Sequence, residues 1–537
     1  MRISRCAKAV LAAFRCSVGV LVVANEPFEH PLLSVRERTT LLVSVLIISI
    51  CAITYELIIA TFSSYLLGDS ITQFSFTIGL FLFAMGLGSL LSRRITANEL
   101  RWFVLVEIII GLIGGCSALL LYAVFATTDL YYYTVMITII LIIGLCSGLE
   151  IPLLTRVVAS RTALSKALAD VLSMDYLGAL IASLAFPILL LPLLGVTLTA
   201  FLTGLFNVAI AGLNLFQFRA WISIDWTRRL WAATITAALI MVAGFFFSAS
   251  ITDFFEQQLY EDHVIYRQQS AYQRIVITRN DQDIRLFING DLQFSSRDEY
   301  RYHELLVHPV MSAARSHERV AVLGGGDGLV VRELLKYDDI QEIVLVDLDP
   351  AITDLALDFP LLRELNDSAL DDPRVRIINQ DAYKFILEGS DLFEVIIIDL
   401  PDPNNESLSK LYSEQFYRLL HKRLTPDGAF VTQATSPYFA REAFWCIAAT
   451  VETSGFHMLP LHTYVPSFGE WGFVIGAPNR PPDVKIISGV SLRYLTADLL
   501  KAALYFDPDT ARIPVDVNTL DNPVLMRYYE RGWRYWD

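Results

Sequence analysis

The sequence predicts a chain in two parts: an N-terminal α-helical multi-pass membrane bundle of about seven spans, then a C-terminal α/β domain. Within the α/β domain a small β-hairpin subdomain should precede a Rossmann-like, doubly wound parallel sheet. Three observations predict this. The first half holds long apolar runs of the length a helix needs to cross a hydrocarbon core. The second half holds a glycine-rich turn after an apolar strand, followed by further strands that each end in an acid. Charge is divided between the halves: residues 1–250 carry 15 Lys+Arg against 12 Asp+Glu and residues 251–537 carry 27 against 44, so +3 and −17 make up the net −14.

With 54% hydrophobic residues and a mean hydropathy of +0.47, the 537 residues are too apolar for an ordinary soluble protein and too many for one domain. The expected divisions are 1–38 (N-terminal segment), 39–250 (transmembrane helices), 251–313 (β subdomain), 314–480 (Rossmann-like domain) and 481–537 (C-terminal extension). Met1–Ala24, with Arg2, Arg5 and Lys8 ahead of an apolar run broken by Arg15, reads as a poor signal sequence or a wrongly assigned start, and 1–38 as signal-like or disordered. The apolar stretches run over 40–62, 73–92, 102–125, 132–155, 175–194, 196–218 and 229–249, so the lipid bilayer is an expected partner. Of six cysteines, five lie in the first 150 residues and only Cys446 in the second half, which excludes a disulfide-rich scaffold.

Arg93, Arg94 and Arg101 mark one loop as cytoplasmic, Arg156, Arg161 and Lys166 a second, and Arg219, Arg228 and Arg229 a third. Continuing the alternation places the segment after span seven outside. A cytosolic substrate, argued below, would instead require a cytoplasmic soluble domain. A missed or half-inserted span near the fifth and sixth stretches would reconcile the two. Glu56, Glu107 and Glu150 sit at membrane depth, where a carboxylate is costly enough to suggest transport or a proton path unless it snorkels or pairs with an arginine.

From Ser270 the pattern turns to short alternating strands, 274–279, 283–288 and 292–295, with Asn289-Gly290 as a hairpin turn. Strand 320–323 runs into Gly324-Gly325-Gly326-Asp327-Gly328 and then a helix through about Lys336. Strands 343–346, 375–378 and 395–398 end at Asp347, Asp381 and Asp399. Ligands of such sheets sit at the strands' carboxyl ends, so these acids should line one crevice, with Asp347 placed for ribose hydroxyls. A carboxylate inside the glycine loop, Asp327, repels a pyrophosphate and suits a cationic ligand. The acidic balance likewise argues for a cationic partner and against nucleic acid.

Six motifs in register make residues 270 to about 476 resemble spermidine synthase: Ser270-Ala271-Tyr272-Gln273, Asn289 to Gln293, Asp298 to Glu304, Val320 to Glu333, Asp399-Leu400-Pro401-Asp402-Pro403, and Trp471-Gly472-Phe473. The tail, Ala511 to Val515 through Asp516-Val517-Asn518 to Glu530, resembles that of membrane-anchored members. The resemblance implies transfer of an aminopropyl group from decarboxylated S-adenosylmethionine, as co-substrate, to an amine, usually putrescine. It implies no tightly bound cofactor and no metal. It implies Asp399 as proton acceptor, Asp402 as amine anchor, Tyr302 and His303 as orienting groups, and Asp327 at the propylamine end. Gln273, Gly324, Gly326, Asp347, Asp381 and Ala382 would hold the methylthioadenosine part. It also leaves a homo-oligomer through the soluble domain open. Two departures bear on substrate choice: Asn404 to Ser407 replace the family's Gly-Pro-Ala stretch, and Phe468 stands at a tyrosine position. Two other readings are kept: a polyamine-binding sensor or transporter with a non-catalytic synthase-like domain, and an S-adenosylmethionine-dependent methyltransferase.

Overall fold

A computed structural model describes residues 34–67, 70–127, 131–159 and 164–534, so the signal-like segment lies outside the described residues. The first half is helical: α1 (Val35–Leu67), α2 (Ser70–Leu91), α3 (Glu99–Thr127), α4 (Tyr132–Ala159), α5 (Leu164–Ala185), α6 (Leu191–Gln217) and α7 (Ile224–Leu259). Their apolar side chains are spread around the helices rather than along one stripe, and many face outward: Phe83, Ile188, Leu193, Leu239 and Phe246 are all more than 60% exposed. Close helix approach is supplied by small residues. A side chain at Gly148 of α4 would collide with the Met85 carbonyl of α2, and one at Gly88 of α2 with the Leu145 carbonyl of α4.

Among the described residues, six continuous helices are long and apolar enough to cross a membrane, where the sequence suggests seven stretches. The difference is at Leu164–Gln217, where α5 and α6 join through a π turn, Phe186–Leu190, into 54 residues. A straight helix of that length would measure about 81 Å, well over a hydrocarbon core of ~30 Å. It is broken at Gly195, whose φ of 69° and ψ of −179° are non-helical. The limbs then run oppositely along α1. Arg38 and Ser49 of α1 meet Asp170 and Asp175 of α5, whereas Ser44 and Cys51 meet Asn214 and Thr203 of α6.

The basic helix ends gather at one end of the bundle. Arg156 donates to the Ser92 and Ile95 carbonyls at 3.0 and 2.7 Å, and Arg101 lies 4.6 Å above the Trp226 ring. At the other end, Tyr122 packs edge-on against Phe62 and Phe255, and α7 leaves the bundle there, nine residues past the expected boundary at 250. The α/β domain is thus joined to the end opposite the arginines. Glu256, 3% exposed on the last turns of α7, accepts three hydrogen bonds from Arg274 at 2.6–2.9 Å, fastening helix to sheet.

Four strands form an antiparallel meander: β1 (His263–Gln269), β2 (Arg274–Asn280), β3 (Asp283–Ile288) and β4 (Asp291–Ser295). Strand β1 was not expected. Asn289 and Gly290 both have positive φ, 53° and 94°, as the two-residue hairpin turn demands. Helix α8 (Glu299–Ala313) leads into a seven-stranded sheet of β5 (Arg319–Gly324), β6 (Glu342–Asp347), β7 (Val375–Asn379), β8 (Phe393–Asp399), β9 (Leu424–Gln433), β10 (His457–Val465) and β11 (Gly469–Ala477), in the order β10-β11-β9-β8-β5-β6-β7. The all-parallel expectation needs correction. Strands β5 to β9 pair in parallel, but β11 is antiparallel to both β9 and β10, because β10 and β11 are joined by a tight turn at Ser467-Phe468 that leaves no room for a crossover. Helices cover both faces, burying Val320, Val322, Val395 and Ile397 on one side and Ala321, Leu323, Ile396 and Ile398 on the other. Residues 481–534 pack against this core: Trp445 Nε1 donates to the Thr510 carbonyl at 2.8 Å and Leu525 is fully buried.

Candidate active site

Strand order reverses between β5 and β8, which are adjacent in the sheet but separated by β6 and β7 in sequence, so a crevice opens at their carboxyl ends. Gly324, the last residue of β5, lies in register with Asp399, the last of β8. A Cβ at Gly324, whose φ is +82°, would stand 2.0 Å from the Asp399 carbonyl oxygen, and Gly325 N donates to that same oxygen at 3.0 Å. Only glycine permits this approach and this backbone angle together. Gly326 N donates to Asp347 Oδ2 at 3.1 Å, and a Cβ there would meet that oxygen at 2.6 Å. The loop thereby holds the acids ending β6 and β8 on its two sides.

Tyr302, on α8, donates its hydroxyl to Asp399 Oδ1 at 2.6 Å. Burial lifts the Asp399 carboxyl above its usual range, with the nearby His303 and the Tyr302 hydrogen bond working against the shift. Burial and Asp399 together push the Tyr302 hydroxyl well above the usual range, so it stays a donor. His303 Nδ1 faces two acceptors, the Glu299 carbonyl and Glu299 Oε2, both at 2.8 Å, and therefore carries a proton. Burial pulls the His303 imidazole down, but its bond to Glu299 and the charges of Glu299, Asp327 and Asp399 raise it overall. Glu299 is in turn held by Arg332 at 2.9–3.0 Å.

Asp327 Oδ1 accepts from Leu329 N, the first residue of the short helix after the loop, at 2.9 Å, while its charge interacts with His303 and Asp399. Burial raises Asp327 to about 6, and also Asp347 to about 6, each with a further contribution from Asp399. Asp402, three residues past β8, accepts from Gln433 Nε2 and Thr435 Oγ1 at 3.1 Å each; burial raises it to about 6 against these bonds. Gln433 also ties the loop down through the Leu400 carbonyl (2.8 Å) and the Tyr412 hydroxyl (2.7 Å). Thr435 has φ of 55°, an unfavourable angle for a β-branched residue, and is held there by a 2.9 Å bond from its N–H to Gln433 Oε1.

The remaining expected residues lie along the β6–β7 side. Ser270, whose hydroxyl bonds to Asp349 at 2.6 Å and to the Gln273 carbonyl at 3.1 Å, holds Gln273 beside the end of β6. Gln380 N donates to the Asp347 carbonyl at 3.0 Å, bringing Asp381 and Ala382 against the same end. Asp381 caps the helix Ala382–Glu388 through Tyr383 N and pairs with Lys410 at 2.7 Å; burial would raise it, but Lys410 brings it below the usual range. Phe468 lies edge-on to Tyr302, 6.2 Å between ring centres. Tyr302, His303, Asp327, Asp347 and Asp399 thus form one electrostatic group, and the charge of Asp402 also bears on Tyr302. Asp381 is set apart by its own lysine. Sequence reading missed Glu299, Arg332, Gln433 and Thr435. Glu299 was legible as the i, i+4 neighbour of His303. Gln433 ends a parallel strand, so the carboxyl-end rule would have found it had β9 been recognised.

Comparison with known proteins gives concordant results. A spermine/spermidine synthase domain matches residues 299–485. The polyamine aminopropyltransferase of Leptospira interrogans (serogroup Icterohaemorrhagiae, serovar copenhageni) is 44% identical over 498 residues, 92% of this chain and 99% of its own length. Polyamine aminopropyltransferase 2 of Ralstonia nicotianae is 45% identical over 507 residues, 93% of this chain and 99% of its own. Among solved structures, spermidine synthase in complex with the transition state analogue AdoDATO is 24% identical, with TM-score 0.42, over 46% of this chain and 86% of that one. Similarity to the two relatives is too long to be confined to the α/β half and must take in most of the helical half. With both halves aligned at this identity, the chain belongs to the polyamine aminopropyltransferase family.

Proposed function

We propose that this enzyme transfers the aminopropyl group of decarboxylated S-adenosylmethionine to putrescine, giving spermidine and methylthioadenosine. The observation that carries the reading is Asp399: a carboxylate at the sheet's reversal point, oriented by the 2.6 Å bond from Tyr302 and made more basic by burial. The amine arrives as an ammonium ion and attacks only after losing a proton. Asp399 takes that proton, the amine lone pair forms the new C–N bond, and the C–S bond breaks with its electrons returning to sulfur as a neutral thioether. Asp402, held by Gln433 and Thr435, anchors the distal ammonium of the diamine. Tyr302 and His303 orient the attacking end, and Asp327 neutralises the amino group of the aminopropyl chain. Asp347 takes the ribose hydroxyls, Gly324 and Gly326 let the donor approach the backbone, and Gln273, Asp381 and Ala382 border the adenine side.

Phe468 beside Tyr302 offers no hydroxyl to an amine, a loss of roughly 0.5–1.5 kcal/mol of hydrogen bonding relative to a tyrosine. Putrescine is the acceptor that the resemblance to spermidine synthase supports. The apolar helices support a membrane location, and the two sheets support the division into helical, β and Rossmann-like parts. The test is product analysis by mass after incubating the detergent-solubilised full chain with decarboxylated S-adenosylmethionine and a panel of amines. Spermidine from putrescine with equimolar methylthioadenosine is expected. Product from another amine alone would overturn the acceptor, and no methylthioadenosine with any amine would overturn the reading.

A further inference from the structure

An aspartate immediately before a helix ordinarily accepts hydrogen bonds from the free N–H groups of the first turn. Asp298, immediately before α8, does not: its side chain caps nothing of α8, although its backbone carbonyl accepts from Arg301 N at 2.9 Å. Both carboxylate oxygens go instead to one distant residue. Oδ2 accepts from Ser467 N at 2.7 Å and Oδ1 from Ser467 Oγ at 2.9 Å. Asp298 is 6% exposed, so water offers these bonds little competition. A second tie runs the same way, from Arg301 Nη1 to the Tyr464 carbonyl at 3.2 Å.

Ser467 lies in the turn between β10 and β11, where Phe468 N donates to the Val465 carbonyl at 2.9 Å and Gly469 has φ of 82°. The turn stands at the crevice end of the sheet, because β11 begins where β9 ends: Gly472 N donates to the Thr435 carbonyl at 2.8 Å, and Phe473 is opposite Gln433. Gln433 and Thr435 are the residues that hold Asp402. Phe468 meets the Tyr302 ring edge-on at 6.2 Å and lies 5.1 Å from Trp471. Asp298 and Tyr302 are four residues apart, so they share a face at the start of α8. One side of that turn of helix thus carries both the hydroxyl that orients Asp399 and the carboxylate that holds Phe468 beside it. A diamine presents two charged ends and apolar methylenes between them. The acids serve the ends, and the methylenes need an apolar wall, which Phe468 supplies only while its turn is held in place.

We propose that Asp298 is a positioning residue for the amine: through Ser467 it holds the β10–β11 turn so that Phe468 closes the amine end of the crevice against Tyr302. The assignment of that end to the amine rests on the aminopropyltransferase reading. Asp298 touches neither substrate and acts through the turn.

The test is a double-mutant cycle on the full chain in detergent, reading the KM for putrescine and for decarboxylated S-adenosylmethionine by methylthioadenosine release. Asp298→Ala should raise the putrescine KM about tenfold and leave the donor KM within about twofold, and Asp298→Asn, which can still accept from Ser467 N, should recover most of the loss. Phe468→Ala should raise the putrescine KM to a similar extent. Added to Phe468→Ala, Asp298→Ala should change it by less than about twofold, because the carboxylate acts through that ring. Effects that multiply, or equal rises in both KM values, overturn the proposal. Ser467→Ala leaves α8 untouched and removes only the hydroxyl bond. It should raise the putrescine KM about two- to fivefold with the same dependence on Phe468, and it gives the answer if Asp298→Ala does not fold. Equilibrium dialysis of radiolabelled putrescine repeats the cycle on the same samples without turnover. A wild type that binds putrescine but releases no methylthioadenosine sinks the transfer reading, and the dialysis cycle still decides this one. A wild type that neither binds putrescine nor transfers to it overturns the proposal.

Discussion

Replacing Tyr302 by phenylalanine should remove one hydrogen bond and little else. The ring is 9% exposed and fixed by edge contacts to Phe473 (5.0 Å) and His303 (5.1 Å), which phenylalanine keeps. What disappears is the 2.6 Å bond to Asp399 Oδ1. A hydrogen bond to an ionised group contributes about 1.5–3 kcal/mol, and about 1.4 kcal/mol corresponds to one pH unit or a factor of ten. Asp399 is already raised by burial, against the opposing effects of His303 and Tyr302. Without the tyrosine it should rise further, by about 1–2 pH units. The carboxylate must be ionised to accept the proton, so the acid limb of kcat moves to higher pH by that amount. On the plateau, loss of orientation should cost about tenfold or more. The assay is methylthioadenosine release by the full chain across the acid and neutral range, wild type against Tyr302→Phe. An unshifted acid limb, or a plateau rate within twofold of wild type, would refute Asp399 as the base that Tyr302 positions.

Four further outcomes are expected. Asp402→Asn should raise the KM for the amine about 10–100-fold and leave that for the aminopropyl donor nearly unchanged in two-substrate kinetics, whereas equal rises in both would contradict the anchoring role. Because Asp402 and Asp327 are each raised to about 6, the amine KM (through Asp402) and the donor KM (through Asp327) should climb as pH falls through about 6, where the carboxylates gain protons and lose the charge that holds an ammonium; a flat KM for either substrate counts against the corresponding acid. Gly326→Ala places a Cβ 2.6 Å from Asp347 Oδ2 and should raise the donor KM about tenfold at unchanged Tm, a rise confined to the amine being the contrary result. Because its substrates are cytosolic, the α/β domain and a C-terminal reporter should lie on the cytoplasmic side even though α7 exits opposite the basic helix ends; an active extracytoplasmic reporter would show that loop charge orients this chain and would separate the domain from the proposed substrates.

The elements that could be read without the structure are those set by local physics. Apolar length marks helices whatever they pack against, and the hairpin Asn289-Gly290, the strands at 274–279, 283–288, 343–346 and 395–398 and the glycine loop are specified by alternation and turn chemistry within a few residues. The acids at strand ends follow from the same local pattern, which is why Asp347 and Asp399 could be placed in one crevice beforehand. Tertiary structure decided what depends on distant segments. The apolar pattern already divided 175–194 from 196–218 at Gly195, but that the two limbs run oppositely rests on the backbone angle there and on packing against α1, which hydropathy does not record. The antiparallel placement of β11 depends on which edge of the sheet remains open after β9 has docked. The groups that set the acids' behaviour, Gln433 and Thr435 on Asp402, Lys410 on Asp381 and Arg332 behind Glu299 and His303, lie 29 to 33 residues away in sequence. Burial and hydrogen bonding fix a carboxylate's charge, and both are properties of the assembled crevice rather than of any segment that contributes to it.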